Sequence, residues 1–452
     1  MFRSLYLSLI YGAFLCGGLV APFVLGLGYV WVDTFQPQAI AYSILNEFPV
    51  SLVMGGTTLL AYLIEDRRAP PKLYLVTILI LLMAAWVTFT TFNDPVAPEL
   101  ARQKWDWAVK TILFSAFMPF LFRSRVQIEA FLLIYILSSM GQILPFAAKT
   151  IISGGGYGTN FGLVAGNAGL AEGSFLSAVA MLIVPILIFL RKYSLILPPS
   201  RLTSLGFLGL IIVCFPAAVG TYERTALVGM AVVLAGLWLR SRRRMLYGVL
   251  GGAALFLAAV SITSSGGAWK ERMSTIATYK QDVSALTRIL VWKWTLDFVH
   301  DHPFGGGFYV HYTNTIIFPV TPDNPEPMVQ HGRAAHSIYF EVLGEHGWPG
   351  LFLFLSLFAG SAMNLRRAAR LTRNLPGMAW CYELARALQL SLLVPITCGA
   401  FIGIAFQAPL YYLFALTVML RHQADVAVRL TRPAIAAPEL DPETGYFSPD
   451  MA

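Results

Sequence analysis

The feature that most constrains this chain is a succession of about twelve apolar runs, at approximately 4–33, 48–64, 73–92, 106–122, 126–147, 174–190, 204–220, 223–240, 246–264, 336–360, 386–406 and 408–421. Each is near the roughly 20 residues that carry a helix across a bilayer. In hydrocarbon every backbone polar group must be bonded within its own segment, so the runs predict an all-α polytopic membrane protein. Composition agrees, since 57% of the 452 residues are hydrophobic, only 12% are charged and mean hydropathy is +0.65. A soluble enzyme carries about twice that charge. The first run is too long for one straight helix and is expected to break near Gly17-Gly18 or Pro22, while the last two crowd around Gln407 and Pro409.

A net charge of +8 is explained by orientation rather than by nucleic acid. Basic clusters occur at Arg67, Arg68 and Lys72; at Arg123 and Arg125; at Arg191, Lys192 and Arg201; at Arg240 and Arg242 to Arg244; at Arg366, Arg367, Arg370 and Arg373; and at Arg421, Arg429 and Arg432. With these spans all of them fall on one side, which the positive-inside bias makes cytoplasmic, and both termini are expected there. Met1-Phe2-Arg3 runs into apolar sequence without a small-residue cleavage site, so the first span is expected to stay as an anchor. The division expected is nine spans in 1–264, a large external loop with amphipathic helices in 265–335, three spans in 336–432 and a disordered Pro-rich and acidic tail in 433–452. Cys16, Cys214, Cys381 and Cys398 are scattered and suggest neither a disulfide framework nor a zinc site. No internal repeat is evident.

Polar chemistry gathers in the large loop and behind it. In 331–350, HGRAAHSIYFEVLGEHGWPG, Arg333 and His336 precede the apolar run that starts at Ile338 and should sit at the mouth of the bilayer. An imidazole that titrates near neutrality beside a fixed cation suits general-base work on an anionic substrate. The plainer reading is that Arg333 snorkels to headgroups and His336 caps a helix. Arg224 lies with Glu223 in a very short turn between two apolar runs, where ionisable groups are functional or paired with one another. Arg288 belongs to a helical pattern from about 285 to 299 that can lie on the bilayer surface, aromatic face down, and that ends at His302-Pro303. Gly305-Gly306-Gly307 then forces a turn, either a flexible linker or a place where backbone amides approach a ligand. The Gly-rich stretch 154–158 suits the lining of a lipid-side crevice, and His346 is explained by a helix bend. Asp94, Glu99, Arg102 and Lys104 look like ordinary loop polarity. His300 and His302 lack a second cluster with ligand spacing, so no metal or other cofactor is expected.

Arg224 in a tight outer turn, Arg288 ahead of a Trp-containing helix ending in HPFGGG, and the pattern H-x-x-Y-x-x-x-L-x-E-x-G-x-x-G from His336 to Gly350 together resemble the O-antigen ligase family, within the wider group that includes O-antigen polymerases and protein O-oligosaccharyltransferases. Ser337 departs from the Asn that many members carry. The resemblance implies a GT-C-type glycosyltransferase of the bacterial inner membrane. Its periplasm-facing site would move O-antigen from undecaprenyl diphosphate to a sugar hydroxyl of lipid A-core, without a metal and with inversion. It also implies His336 as the base, Arg224, Arg288 and Arg333 on the diphosphate, and Tyr222, Glu223, Trp292, Gly306 and Tyr339 as substrate contacts. The residue chemistry is compatible, because guanidiniums can stabilise the charge that develops on a leaving diphosphate and a cation near His336 holds it unprotonated. Two further readings stay open: a polymerase or protein-directed transferase, which differs only in acceptor, and a transporter of lipid-linked sugar. A transporter usually shows two related halves and mid-membrane charges, and the two halves here do not match.

Overall fold

The computed structural model describes residues 2–41, 45–66, 68–93, 95–153, 170, 172–241, 244–245, 248–249, 251–252, 283–318 and 328–431. The Gly-rich 154–158 stretch, nearly all of the 246–264 run, the start of the large loop and the 433–452 tail lie outside them.

The described chain is mostly helical: α1 Phe2–Gly18, α2 Pro22–Phe35, α3 Pro37–Ile40, α4 Val50–Glu65, α5 Leu75–Phe92, α6 Pro98–Leu121, α7 Arg125–Ser153, α8 Gly173–Tyr193, α9 Arg201–Gly220, α10 Arg224–Arg240, α11 Val283–Asp301, α12 Ile338–Thr372, α13 Ala379–Cys398 and α14 Ala408–Thr431. Six helices among the described residues, α5, α7, α8, α9, α12 and α13, are long and apolar enough to cross a membrane. Packing divides them by exposure. α8 is apolar all round and buried along nearly its whole length, as is α14 from Ala408 to Arg421; helices of that kind belong inside a bundle. By contrast α9 leaves Leu202, Leu205 and Ile212 exposed and α4 leaves Leu59, Leu60 and Leu63 exposed. Apolar side chains turned outward on long apolar helices are what a bilayer solvates, and the architecture is that of a multi-pass all-α membrane protein.

The first apolar run breaks where expected, between Gly18 and Pro22, but the break is a reversal and not a kink. Without a Cβ, Gly17 and Gly18 let α1 press onto Val24 and Leu25, and Phe14 packs on Trp31, so α1 and α2 form an antiparallel hairpin. Arg3 Nη2 accordingly donates to the carbonyl of Ile40. This corrects the expectation that both termini share one face: Arg3 lies at the end of the bundle occupied by α3, whereas the last turn of α14 lies at the opposite end.

At that opposite end several residues of the basic clusters bind helix ends. Arg68 reaches the carbonyl of Leu121 at 3.5 Å, Arg125 that of Tyr193 at 2.7 Å, Arg240 that of Arg386, and Gln423 Nε2 that of Arg123 at 2.6 Å. Arg421 pairs with both oxygens of Asp425, one of which also accepts from Tyr74.

Two other boundaries differ from the sequence reading. α13 ends at Cys398, and the expected span to 406 is replaced by a 3-10 turn, Gly399–Phe401, and an irregular segment up to Gln407. The helix expected on the bilayer surface is α11, but it packs on α12 through a ridge at i, i+4 spacing: Thr287, Val291, Thr295 and Val299 are buried. After α11 comes a short antiparallel pair, β1 Thr315–Ile317 and β2 Val329–His331, with Thr315 opposite His331.

Candidate functional site

The stretch before α12 is fixed in place on both sides. Asn314 accepts from the Arg333 amide at 2.9 Å and donates to its carbonyl at 2.7 Å, while Trp292 Nε1 donates to the carbonyl of Ala335 at 2.8 Å. Trp292 also stacks on Phe340 with ring centroids 4.9 Å apart. Held between these bonds, His336 adopts a left-handed backbone, φ +46, with Ser337 at the N-cap position of α12. A non-glycine residue there carries about 1–3 kcal/mol of strain, which persists only where the surroundings over-determine it. His336 is therefore not the cap but the residue displaced by the turn into the helix.

His336 opens onto a cavity of about 420 Å³ that is also lined by Lys104, His311, Tyr309, Glu341 and Glu345, with Glu172 and Gln407 on the far side. This is the volume of an ordinary small-ligand site. His336 is exposed at the cavity wall, its imidazole partly desolvated by the protein around it. Burial first, then the charges of Arg288 and Arg333, lower its pKa from the usual histidine value. Of the residues singled out in the sequence, Arg288 and Arg333 are near enough to His336 for their charges to act on it, although neither lines the cavity. His311, in the 3-10 turn Val310–Thr313, is pushed down to about 4, by burial and then by the ammonium of Lys104.

Arg224 and Glu223 stand at the start of α10, after Tyr222, whose φ of 55 makes the tight turn from α9. Their link to the cavity runs through Glu172, whose carboxyl caps α8 by accepting from the amides of Ser174 and Phe175. Burial pushes Glu172 up and the charge of Glu223 adds to this. Arg224, next to Glu223 at the start of α10, thus stands on the side of the cavity lined by Glu172.

The floor of the cavity is a buried ion cluster that the sequence reading passed over. Lys104 Nζ lies 2.7 Å from Glu341 and 2.8 Å from Glu345, inside a cage formed by Phe308, Tyr309 and Phe406 with ring centroids 5.0–5.2 Å away. Glu341 also accepts from the amide of Ala405 at 3.1 Å, and Glu345 from that of Tyr309 at 2.9 Å. One ammonium thereby joins α6, α12, the loop after α11 and the segment before α14. Charges so enclosed persist only when paired and hydrogen-bonded. The available signal was Glu341 and Glu345 at i, i+4 on one face of an apolar run, which demands a cation from elsewhere.

The glycines and the pattern from His336 to Gly350 have a joint explanation. Gly306 N donates to the carbonyl of Gly344 at 3.0 Å and Gly307 N to that of Glu345 at 2.9 Å, where α12 breaks at Gly347 with φ +65. A Cβ on Gly306 would lie 2.4 Å from Val310. The triple glycine is neither a linker nor a ligand cradle: its central and last amides clasp the broken helix, and this corrects the expectation that Gly306 touches substrate. Tyr339 donates its hydroxyl to the carbonyl of Ile396 at 2.7 Å and so ties α12 to α13; Trp292 orients the backbone before His336. Both polar hydrogens are thereby donated within the protein. Gly350 lets Trp86 close over His346, whose Nδ1 lies 2.6 Å from Thr90 Oγ1 and whose carbonyl accepts from Trp86 Nε1. Among the described residues no group of three His, Cys, Asp or Glu side chains is placed to hold a metal ion.

Comparison with known proteins divides the chain in two. Residues 2–195 match a family of unknown function (DUF5935) and residues 210–355 match the O-antigen ligase family. No curated protein matches the chain. The second match holds Arg224, Arg288, Arg333, His336 and the clasped helix break, whereas Lys104 and Glu172 fall in the first. Members of the second family are membrane glycosyltransferase-like enzymes of ligase or polymerase type, acting on lipid-linked polysaccharides. It is thus residues 210–355, with part of the cavity lining, that are similar to the O-antigen ligase family.

Proposed function

We propose that the protein is an O-antigen ligase of GT-C type in the bacterial inner membrane. It transfers glycan from undecaprenyl diphosphate to a sugar hydroxyl of lipid A-core. The observation that carries this reading is His336, held in a left-handed backbone at the cavity with two arginine charges acting on it. The lowered pKa keeps the imidazole neutral near pH 7, so it accepts the proton of the acceptor hydroxyl. The acceptor oxygen forms a bond to the anomeric carbon as the C–O bond to the diphosphate breaks, and the configuration inverts. Arg288 and Arg333, with Arg224 from the Glu172 side, neutralise the departing diphosphate. Glycosyl transfer between two lipid-anchored substrates at headgroup level accounts for a polar cavity at one end of a membrane bundle.

In this reading the cavity end faces the periplasm and the arginine-rich end the cytoplasm, which places the N-terminus outside and the end of α14 inside. The 265–335 stretch is then the periplasmic loop and the 433–452 tail is cytoplasmic. The test supplies purified protein with lipid-linked glycan and rough lipopolysaccharide. A capped lipopolysaccharide that disappears with His336→Ala is the expected product, while a lengthening ladder on the lipid-linked glycan makes the protein a polymerase instead. Activity of His336→Ala close to the parent's removes the base assignment.

A further inference from the structure

At the basic end of the bundle, away from the cavity, α8, α10 and α13 part from one another. Deeper in, the three touch closely: a Cβ on Gly229 would lie 3.2 Å from both Met181 and Cys398, and Ser391 donates to the carbonyl of Leu182 at 2.7 Å. Nearer the basic end a groove of about 260 Å³ opens between them. α8 contributes Ile188 and Lys192 to it, α10 contributes Leu237 and Arg240, and α13 contributes Arg386 and Leu390. Lys192 and Arg240 stand in the last turns of their helices. The groove therefore has apolar walls and three cations, one from each helix, at its mouth.

These cations differ from Lys104, which two carboxylates satisfy. Among the described residues Lys192 and Arg386 form no ion pair. Lys192 lies over the ring of Tyr193 at 5.0 Å and Arg386 over that of Tyr382 at 5.7 Å, while Glu383, the acid of the lining, pairs with neither. Arg240 is held at the same place by its own bonds: Nη1 donates to the carbonyl of Arg386, Nη2 reaches Oε1 of Gln389 at 3.4 Å, and the like charge of Arg386 acts on it. Guanidiniums kept that near repel one another, and an anion between them turns the repulsion into attraction. Snorkelling alone would send such side chains outward separately, whereas these converge from three helices on one groove.

The walls decide what carries the anion. Pro185, Ile188, Phe189, Leu237 and Leu390 give a free phosphate nothing to bind, and Ile188 is 38% exposed. A phosphate that bears acyl chains uses both parts, with its charge among the cations and its hydrocarbon on the walls. The groove is smaller than the roughly 300–1,000 Å³ that encloses a drug-sized ligand. It takes the phosphate and the beginning of a chain, and the rest lies along the outside of the bundle, where Leu393 of α13 is 44% exposed.

We propose that this groove binds an anionic glycerophospholipid of the leaflet at the basic end, and that the lipid joins the parted ends of α8, α10 and α13. The proposal stands apart from the glycosyl-transfer reading, and its test requires no turnover. The full chain, delipidated in neutral detergent, is titrated with phosphatidylglycerol, with phosphatidylcholine of the same acyl chains and with inorganic phosphate. Bound lipid is counted by native mass spectrometry and the melting temperature is recorded. Phosphatidylglycerol is expected to bind and to raise the melting temperature with its concentration, as a ligand of the folded state does, and the other two to do neither. Lys192→Gln and Arg386→Gln should each weaken it about fivefold, the share of one cation near a membrane surface, with the lipid-free melting temperature within a few degrees of the parent. Arg366→Gln removes an exposed cation of α12 that does not line the groove and should leave binding unchanged. Equal binding of the two lipids overturns the proposal, and so does equal loss from Arg366→Gln, which marks diffuse surface charge. Inorganic phosphate that binds as tightly as phosphatidylglycerol replaces the lipid by a free anion. A fall in melting temperature with unchanged affinity in both groove variants gives these cations a structural role only and also ends it.

Discussion

Arginine is used in opposite ways at the two ends of this bundle. At the basic end Arg68 and Arg125 donate to the carbonyls of Leu121 and Tyr193, the last residues of α6 and α8, and Arg125 lies over the ring of Trp380 at 5.0 Å. These are helix C-termini, where a cation meets unpaired carbonyls and the negative end of the dipole. At the cavity end the charges of Arg288 and Arg333 act on the imidazole of His336 instead. The same side chain closes the structure at one end and acts on an imidazole at the other. Residue type alone does not distinguish the two; the acceptor does.

Four substitutions sharpen or break that contrast. His336→Ala should lower glycan transfer by about 10²–10⁴-fold, the usual contribution of a general base, with melting temperature held within a few degrees of the parent. Lys104→Met leaves two carboxyl groups enclosed without their cation and should destabilise by about 3–5 kcal/mol in thermal unfolding, with part recovered by Lys104→Met combined with Glu345→Gln. Arg288→Ala should reduce transfer by about 10–100-fold, roughly the effect of one lost charge-assisted contact to the diphosphate. It should also change the pH profile. Because Arg288 lowers the His336 pKa, the parent keeps its rate below the ordinary histidine value as pH falls, and the acid limb of Arg288→Ala should move up toward that value. An acid limb that stays put means the charge does not act on the base. Arg125→Ala, the smallest effect, should lose about 1 kcal/mol of stability and leave transfer within about twofold. Equal loss of transfer from Arg125→Ala and Arg288→Ala abolishes the contrast.

How much of this was readable in advance follows from the range of the interactions. The break near Gly17-Gly18 and Pro22, the gathering of basic clusters and the weight placed on Arg288, Arg333 and His336 all come from local pattern. Hydropathy could not tell a kink from a reversal at that break, so the N-terminus was assigned to the wrong end. Lys104 stayed hidden because its partners are 237 and 241 residues away. Local pattern leaves Gly305-Gly306-Gly307 open between a linker and a ligand approach, since nothing nearby signals that helix α12 breaks against the amides of Gly306 and Gly307. The face of α11 was misread because aromatic residues drew attention from the Thr287, Val291, Thr295 and Val299 ridge, which packs on protein and not on lipid.

Gly347 shows how little room the arrangement leaves. A Cβ at that position would stand 2.1 Å from the carbonyl oxygen of Pro303 and 2.5 Å from the carbonyl carbon of Phe304. Alanine there, a single methyl, would wedge the clasp open and carry Tyr309 and His311 away from the acid pair beneath them. Since a misplacement of about 1 Å can cost about 10²-fold in rate, Gly347→Ala should cripple transfer while the protein still inserts and folds. The working shape of the cavity is thus guarded by an absence: a void smaller than one carbon group, on the back of the helix and out of sight of any substrate.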